Sequence, residues 1–481
     1  MEGPQHFDVL IVGAGLSGIG MAAHLRRGCP HKTFAILEAR GAIGGTWDLF
    51  RYPGIRSDSD MYTLGYAFKP WTDAKAIADG PAIRAYVEET AREHDIDRHI
   101  RFHHRVVAAD WSSEEALWRV EAKRPEGPAV FTCRFLVMAA GYYDYDEGYR
   151  PRWPGEEAFA GMVVHPQAWP EGLDHAGKRI AVIGSGATAV TLVPELARTA
   201  AKVTMVQRSP SYIVSRPSVD GIAEWLKRWL PARTAYALTR WKNIILTSLF
   251  YRLSRSRPDS MAAKLIGLVR GELGDKFDPA DFTPPYKPWD QRLCLVPDGD
   301  LFAALRDGRA EIATGAIARF TERGLALAGG EEVEADIIVT ATGLKVVTLG
   351  KVALSLDGRP IEPSQAMTYK GMMLSDVPNL MLVFGYTNAS WTLKADLSSA
   401  WLVRLLKRMD RAGARVAVAR RDPGVADLPF LDFTSGYVQR ALPVLPKQGT
   451  RPPWRLYQNY WLDLLTLRFG RIEDGTLALL R

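Results

Sequence analysis

Apolar residues in this chain gather into short unbroken runs, and the runs stop at glycines. VLIVGAG (9–15), FLVMAAG (135–141), IAVIGSG (180–186) and IIVTATG (337–343) share that form. A run of this length with no polar residue on alternate positions predicts a strand buried on both faces, as in a parallel sheet. After the first and third runs the spacing changes to that of a helix, in LSGIGMAAHLRRG (16–28) and ATAVTLVPELA (187–197). The chain therefore reads as α/β, with two strand–turn–helix units. The second unit is expected to be inserted into the domain built by the first, because ATG (341–343) has the form of a return strand. AAG (139–141) has the same form earlier.

The first turn spaces Gly13, Gly15 and Gly18 as GxGxxG. This suits a tight turn, a close backbone approach to a pyrophosphate, and helix–strand packing, with the helix N-terminus facing the phosphates. The next strand ends in Glu38, where an acid binds ribose hydroxyls. The second turn reads Gly184, Ser185, Gly186, Ala187, Thr188, Ala189. Its following strand ends in Gln207 and Arg208. A guanidinium there suits a 2′-phosphate, so this site is expected to prefer NADPH, and the first is expected to hold FAD. Ala341, Thr342 and Gly343 are expected beside the cofactors. Two dinucleotide sites in one chain point to a flavoprotein reduced by a nicotinamide.

Composition narrows this further. Three cysteines, with no CxxC, exclude a dithiol reductase, a cysteine-rich zinc site and a disulfide framework. No metal is expected, the electrons go to another acceptor, and dioxygen is the obvious one. The N-terminal run leads straight into a glycine turn and lacks a basic leader, and no run is long enough to span a membrane, so a cytoplasmic setting is expected. Charge is uneven. Residues 221–275 hold ten Lys/Arg against four Asp/Glu and many aromatics. That segment is either a helical insertion with a solvated basic face or a contact for an anionic membrane surface. No nucleic-acid-binding module accompanies the charge.

Between the two turns stands FAGMVVHPQAWP, with Phe159, Gly161, His165, Trp169 and Pro170 at fixed spacing. It is too broken to read as a strand. It resembles the fingerprint of type I Baeyer–Villiger flavin monooxygenases, and GGTWDLFRYPGIRSD (44–58) is similar to a second family segment. DLFRYPGIRSDSDMYTLGY, PWDQRLCLVPDGDLF and GYTNASWTLKADL bring the chain closest to the family's bacterial, ethionamide-activating branch. The resemblance implies an FAD domain at 1–150, a nicotinamide domain at 151–220 led by the linker fingerprint 159–170, and a helical insertion at 221–290. The nicotinamide domain would resume at 291–340 and the FAD domain at 341–481.

It also implies an NADPH- and dioxygen-dependent oxygenation through a C4a-peroxyflavin, turning ketones into esters or lactones and thioethers into sulfoxides. Arg292, held by Asp58, would be the fixed cation that the developing oxyanion needs. Gly45, Thr46, Trp47, Tyr52 and Pro53 would lie against the flavin, and His165 and Trp169 would couple nicotinamide binding to domain movement. Gln291 replaces the family's usual Lys, which leaves Arg208 as the main selector of NADPH. Asp48 replaces an aromatic. Tyr62, Leu293, Asn388 and Trp391 are expected to line the substrate pocket, and Lys394 to lie near the flavin or substrate. A heteroatom oxygenase without ketone activity, and a flavin-binding scaffold without turnover, stay open as alternatives. The substrate and the oligomeric state are not legible.

Overall fold

The computed structural model of the chain describes residues 4–481. Two sheets organise it. The first has nine strands. Its centre is the strand Gln5–Val12, flanked in parallel by Phe34–Leu37 and Ala129–Met138. Val9, Leu10 and Ile11 have no exposed surface, as the unbroken apolar run predicts. The strand Ala129–Met138 divides its partners. Its first half pairs antiparallel with Leu117–Lys123, and its second half pairs in parallel with Leu380–Leu382.

The second sheet has five parallel strands in the order Ala310–Thr314, Lys202–Gln207, Arg179–Ile183, Ile337–Thr340, Met162–Val164. All of them fall between the first sheet's strands Ala129–Met138 and Ala353–Leu356, so one dinucleotide fold is inserted in the other. The edge strand corrects one expectation. Residues 159–170 do contain a strand, Met162–Val164, set in register against Ile337–Val339. Its three residues are too few for periodicity to reveal. It is held by a neighbour distant in sequence, and Gly161 permits this because a Cβ there would lie 2.4 Å from the Asp336 carbonyl oxygen.

The two crossings between the sheets run side by side. Asp144 N–H donates to the Lys345 carbonyl (2.8 Å), Val347 N–H to that of Tyr142 (2.9 Å), and Tyr149 N–H to that of Gly343 (3.2 Å). Residues 221–282 form helices Gly221–Trp229, Ala232–Ser256 and Pro258–Leu273 and the short turn of helix Pro279–Phe282. The helix Trp391–Ala412 packs on the first helix, Leu16–Gly28. It stops at Gly413, whose left-handed φ of 61° suits a residue without a side chain.

That long helix buries a charge. Lys394 is 1% exposed and pairs with Asp463 at 2.9 Å. Burial pulls the lysine below its ordinary value, and Asp463 opposes the shift. Asp463 also accepts from Tyr386 Oη at 2.7 Å. Lys394 thus fastens the C-terminal segment to the helix, and this corrects its expected place beside flavin or substrate. Replacing it with Met leaves a buried carboxylate without its cation. Lys394→Met should cost about 3–5 kcal/mol in urea unfolding, and adding Asp463→Asn should recover most of that loss. A loss below about 1 kcal/mol for the single variant would contradict the assignment.

Candidate active site

The first turn is built for a phosphate. Gly13 has a φ of 104°, and a Cβ there would lie 2.7 Å from the Ala139 carbonyl oxygen. At Gly18 a Cβ would fall 1.9 Å from the Gly13 carbonyl oxygen. The helix beginning at Leu16 has no side-chain cap and no acid in its first turn, so its leading N–H groups are left to a ligand. Glu38 closes the turn. Its carboxylate accepts from the N–H of Ala14 (2.7 Å) and of Arg40 (2.8 Å). Burial pushes that carboxyl up, and the two N–H donors pull it back.

A cavity of about 500 Å³ opens over this turn. Gly13, Gly15, Glu38, Gly45, Thr46 and Trp47 line it, together with Asp58, Tyr142, Arg292 and Trp391. Residues 44–47 reach the turn because Gly15 and Gly45 meet backbone to backbone: a Cβ on Gly45 would be 3.0 Å from Gly15 Cα. Tyr52 and Pro53 are not in this wall. Tyr52 lines a separate cleft between the domains, and its hydroxyl meets the side chain of Thr188, which corrects its expected place against the flavin. The sequence could not separate the two sides of the RYPG turn.

Asp48, which replaces the aromatic usual after GGTW, is a buried hub. Its carboxylate takes Arg40 at 2.6 Å, Arg84 at 2.9 Å and Arg51 at 3.0 Å. Arg40 is thereby held in the cavity wall.

Asp58 and Arg292 reach the cavity from opposite directions. Asp58 lies in the loop before the short helix Met61–Leu64, which Asp60 caps through Thr63 N–H at 3.1 Å. Arg292 lies in a loop clamped on both sides. Arg255 binds Asp290 at 2.6 Å, and Thr434 N–H donates to the Asp290 carbonyl at 3.0 Å. The two side chains share the cavity, but no oxygen of Asp58 lies within the 4.0 Å of an ion pair with Arg292. This corrects the expected direct pair: they act on each other without direct contact. Burial raises the Asp58 carboxyl, against the pull of Arg292 and Arg56. Burial works against the charge on Arg292, yet Asp58 and three nearby tyrosines carry its pKa above the ordinary value, so the guanidinium stays charged.

Behind Arg292 a second recess of about 10 Å³, room for one water molecule, adjoins the cavity. Arg292, Tyr142 and Trp391 belong to both. The recess is walled by Phe384, Tyr386, Leu431, Tyr437 and Leu445, and no carboxylate lines it. Tyr142 and Trp391 stack with centroids 5.2 Å apart and planes at 17°, and Trp391 Nε1 donates to Ser17 Oγ at 2.8 Å. Three expected pocket residues lie elsewhere. Tyr62 is 1% exposed in the core beside Tyr236. Asn388 is buried and donates to the Gln458 carbonyl at 2.8 Å, and Leu293 lines neither space. Sequence reasoning missed Tyr142, Phe384 and the segment 431–445. Only Tyr142 carried a signal, as the residue after AAG.

The second turn repeats the first. Gly184 has a φ of 139°, and a Cβ there would lie 2.4 Å from the Ala341 carbonyl oxygen. The helix from Ala187 is likewise uncapped, behind Gly186. Ser185 Oγ donates to the Ser209 carbonyl at 2.9 Å, and Thr342 Oγ1 to that of Tyr149 at 2.7 Å. Arg208 is exposed at the end of its strand, with no carboxylate within 4.0 Å among the described residues. Gln207 is a correction. It is 2% exposed, and its amide is spent on Thr314 Oγ1 (2.9 Å) and the Asp281 carbonyl (2.8 Å), so it braces the sheet and does not face a ligand.

The residues of 159–170 join these parts. Phe159 packs edge-on against Phe320 with centroids 6.2 Å apart. Trp169 packs, half-buried, against the core of the second sheet, and the exposed Pro170 follows it. His165 Nδ1 accepts from Gln167 N–H at 3.2 Å, and the ring fills the space that a side chain on Gly148 would need. Gln167 Nε2 donates to the Asp144 carbonyl at 2.7 Å. His165 and Gln167 therefore tie the edge strand to the crossing segment.

Two family models match the chain: flavin-binding monooxygenase-like over residues 76–415 and NAD(P)-binding Rossmann-like domain over residues 11–79. The FAD-containing monooxygenase EthA of Mycobacterium tuberculosis is 54% identical over 474 residues, which span 98% of this chain and 97% of that protein. EthA of Mycolicibacterium smegmatis is 52% identical over 476 residues, with 98% and 97% covered. Among solved structures, an oxidised steroid monooxygenase bound to NADP superposes with a TM-score of 0.76 at 23% identity, over 99% of this chain and 100% of that one. An open structure of cyclohexanone monooxygenase gives 0.70 at 23% identity, over 87% and 90%.

Burial lowers the pKa of His165. In the unfolded chain its imidazole takes a proton near the ordinary value of about 6.5, but in the fold it does so only at lower pH. Between those points the unfolded state binds more protons, so stability falls as pH falls. His165→Asn keeps an acceptor for Gln167 N–H and does not titrate. Its stability in urea should drop less than that of the unaltered protein between about pH 7 and about pH 5. Parallel curves would mean that His165 does not titrate differently on folding.

Proposed function

The chain belongs to the flavin-binding monooxygenase family, and on that premise we propose that it binds FAD and NADPH and inserts one atom of dioxygen into a neutral organic substrate. The reaction is a ketone to an ester or lactone, with sulfoxidation of thioethers beside it. For the ketone the balance is ketone, dioxygen, NADPH and a proton giving ester, NADP⁺ and water. The first turn, Glu38 and residues 45–47 would hold FAD. The second turn and Arg208 would hold NADPH, with Arg208 on the 2′-phosphate. The uncapped helix starts and the glycine cradles support that fit. When bound, the reduced flavin supplies the activation of dioxygen.

The observation that carries the reading is the position of Arg292. It stands in the wall shared by the cofactor cavity and the apolar recess, and it is charged. A carbonyl brought beside Arg292 in the larger cavity would meet a fixed guanidinium where negative charge builds on its oxygen. Asp58, which lines the same cavity, supports that charge. The crowded aromatics Tyr142, Phe384 and Trp391 exclude water, which strengthens the interaction.

Two variants test the reading. Arg292→Ala should still let NADPH reduce the flavin, but ester formation should fall by about 100-fold or more, leaving NADPH consumption without product. Ester formed at the unaltered rate would remove Arg292 from the reaction. Arg208→Ala should raise the KM for NADPH by about tenfold and leave that for NADH nearly unchanged. Equal effects on both coenzymes would refute the 2′-phosphate contact.

A further inference from the structure

The helix Ala232–Ser256 is apolar on two sides. Its inner side is spent on the fold: Arg240 Nη1 donates to the carbonyls of Tyr62 (2.8 Å) and Gly65 (2.7 Å), and Ile244 is 2% exposed. Its outer side carries Leu238, Trp241, Ile245 and Leu249 at helical spacing, each 41–54% exposed together with the neighbouring Leu246. A segment far away in sequence widens this stripe. Trp461 stacks on Trp241 with centroids 5.8 Å apart and bonds Ser248 Oγ at 3.2 Å, and Leu465 in the following turns is 59% exposed. The helix Gly221–Trp229 packs at the near end and leaves Trp229 74% exposed. A continuous apolar surface of this kind on a folded chain marks a contact.

Its unpartnered charges are mostly basic, with Asp259 in helix Pro258–Leu273 the exposed carboxylate among them. Lys242 and Arg255 are neutralised by Asp220 and Asp290. Arg252, within the stripe, and Arg468, beside Leu465, are exposed and have no carboxylate within 4.0 Å among the described residues. Arg228, Arg233 and Lys264 are exposed in the same helices and also lack such a partner. We propose that this face, helix Ala232–Ser256 with residues 460–469, docks on an anionic lipid bilayer. Tryptophan and leucine would enter the headgroup boundary while arginines reach the phosphates above them, as in interfacial amphipathic helices. A second copy fits less well. A two-fold contact sets the patch against itself, and Arg252 and Arg468 would be buried among cations with no anion opposite. A bilayer supplies the anion. The lipid-facing helix also anchors, through Arg255, the loop that delivers Arg292, so apolar substrates dissolved in the bilayer would lie close to the site. Docking of this face would not depend on the proposed reaction.

The test uses the FAD-loaded full chain and flotation with vesicles. One set is equal parts phosphatidylcholine and phosphatidylglycerol, and the other is phosphatidylcholine alone. The protein should float with the anionic vesicles, weakly with the neutral ones, and less as salt rises. Ile245→Ser with Leu249→Ser should abolish flotation. Arg252→Glu with Arg468→Glu should weaken it on the order of tenfold or more, since each cation near an anionic leaflet contributes about 1 kcal/mol. Flavin content and NADPH oxidation should be unchanged in both, which verifies folding. Failure of the unaltered protein to float, or equal flotation of all three proteins, would overturn the proposal. So would light scattering that shows a vesicle-free dimer dissociated by the serine pair, because the patch would then be a self-contact.

Discussion

Of the glycines in this chain that leave no room for a side chain, two carry the rest of the architecture. At Gly13 the backbone lies against the Ala139 carbonyl, and at Gly184 against the Ala341 carbonyl, with left-handed φ at both glycines. Each contact presses the end of one strand against the phosphate turn of its neighbour. Residues 139 and 341 are also where the chain leaves and re-enters the first domain. The segments that follow bond to each other through residues 142–149 and 343–347. The geometry of one nucleotide turn is therefore transmitted to the other over a short, paired stretch of backbone. His165 and Gln167 brace that stretch from the edge strand, which gives the spacing of residues 159–170 a mechanical reason.

The candidate site is assembled where this joint meets the C-terminal segment. Tyr142 comes from the joint, Trp391 from the head of a helix packed on the first nucleotide helix, and Arg292 from a loop clamped by Arg255 and Thr434. No single element carries the site, so its electrostatics depend on all of them being in place. Arg292 keeps its charge among aromatics because Asp58 lines the same cavity and the guanidinium hardly deprotonates at all. The absence of a direct ion pair leaves donors on Arg292 free for another acceptor.

Much of this was legible in the sequence, for local reasons. A buried parallel strand ends in a glycine whose φ only glycine tolerates, so the two turns, Glu38 and the return strands declared themselves. What was hidden depends on partners distant along the chain. Nothing around Lys394 shows that Asp463 lies beside it. Gln207 stands where a ligand contact was expected, but Thr314 and the Asp281 carbonyl claim it. Tyr62 looks like a pocket aromatic until helix Ala232–Ser256 covers it. The strand Met162–Val164 is too short to show a period, and the recess walls at 431–445 come from a stretch with neither glycine turn nor charge pattern. The basic segment was legible as composition, but its apolar outer face needed Trp461 and Leu465 to become a surface.

The most direct test of the account is one incubation of the FAD-loaded protein with NADPH, isotopically heavy dioxygen and a mixture of a linear ketone, an aryl ketone and an aryl alkyl sulfide, followed by mass spectrometry. The account predicts ester carrying one heavy oxygen, with one NADPH consumed for each oxygen inserted. NADPH consumption without heavy oxygen in any ketone product would contradict it, and labelled sulfoxide as the sole product would leave Arg292 without the oxyanion role assigned to it here.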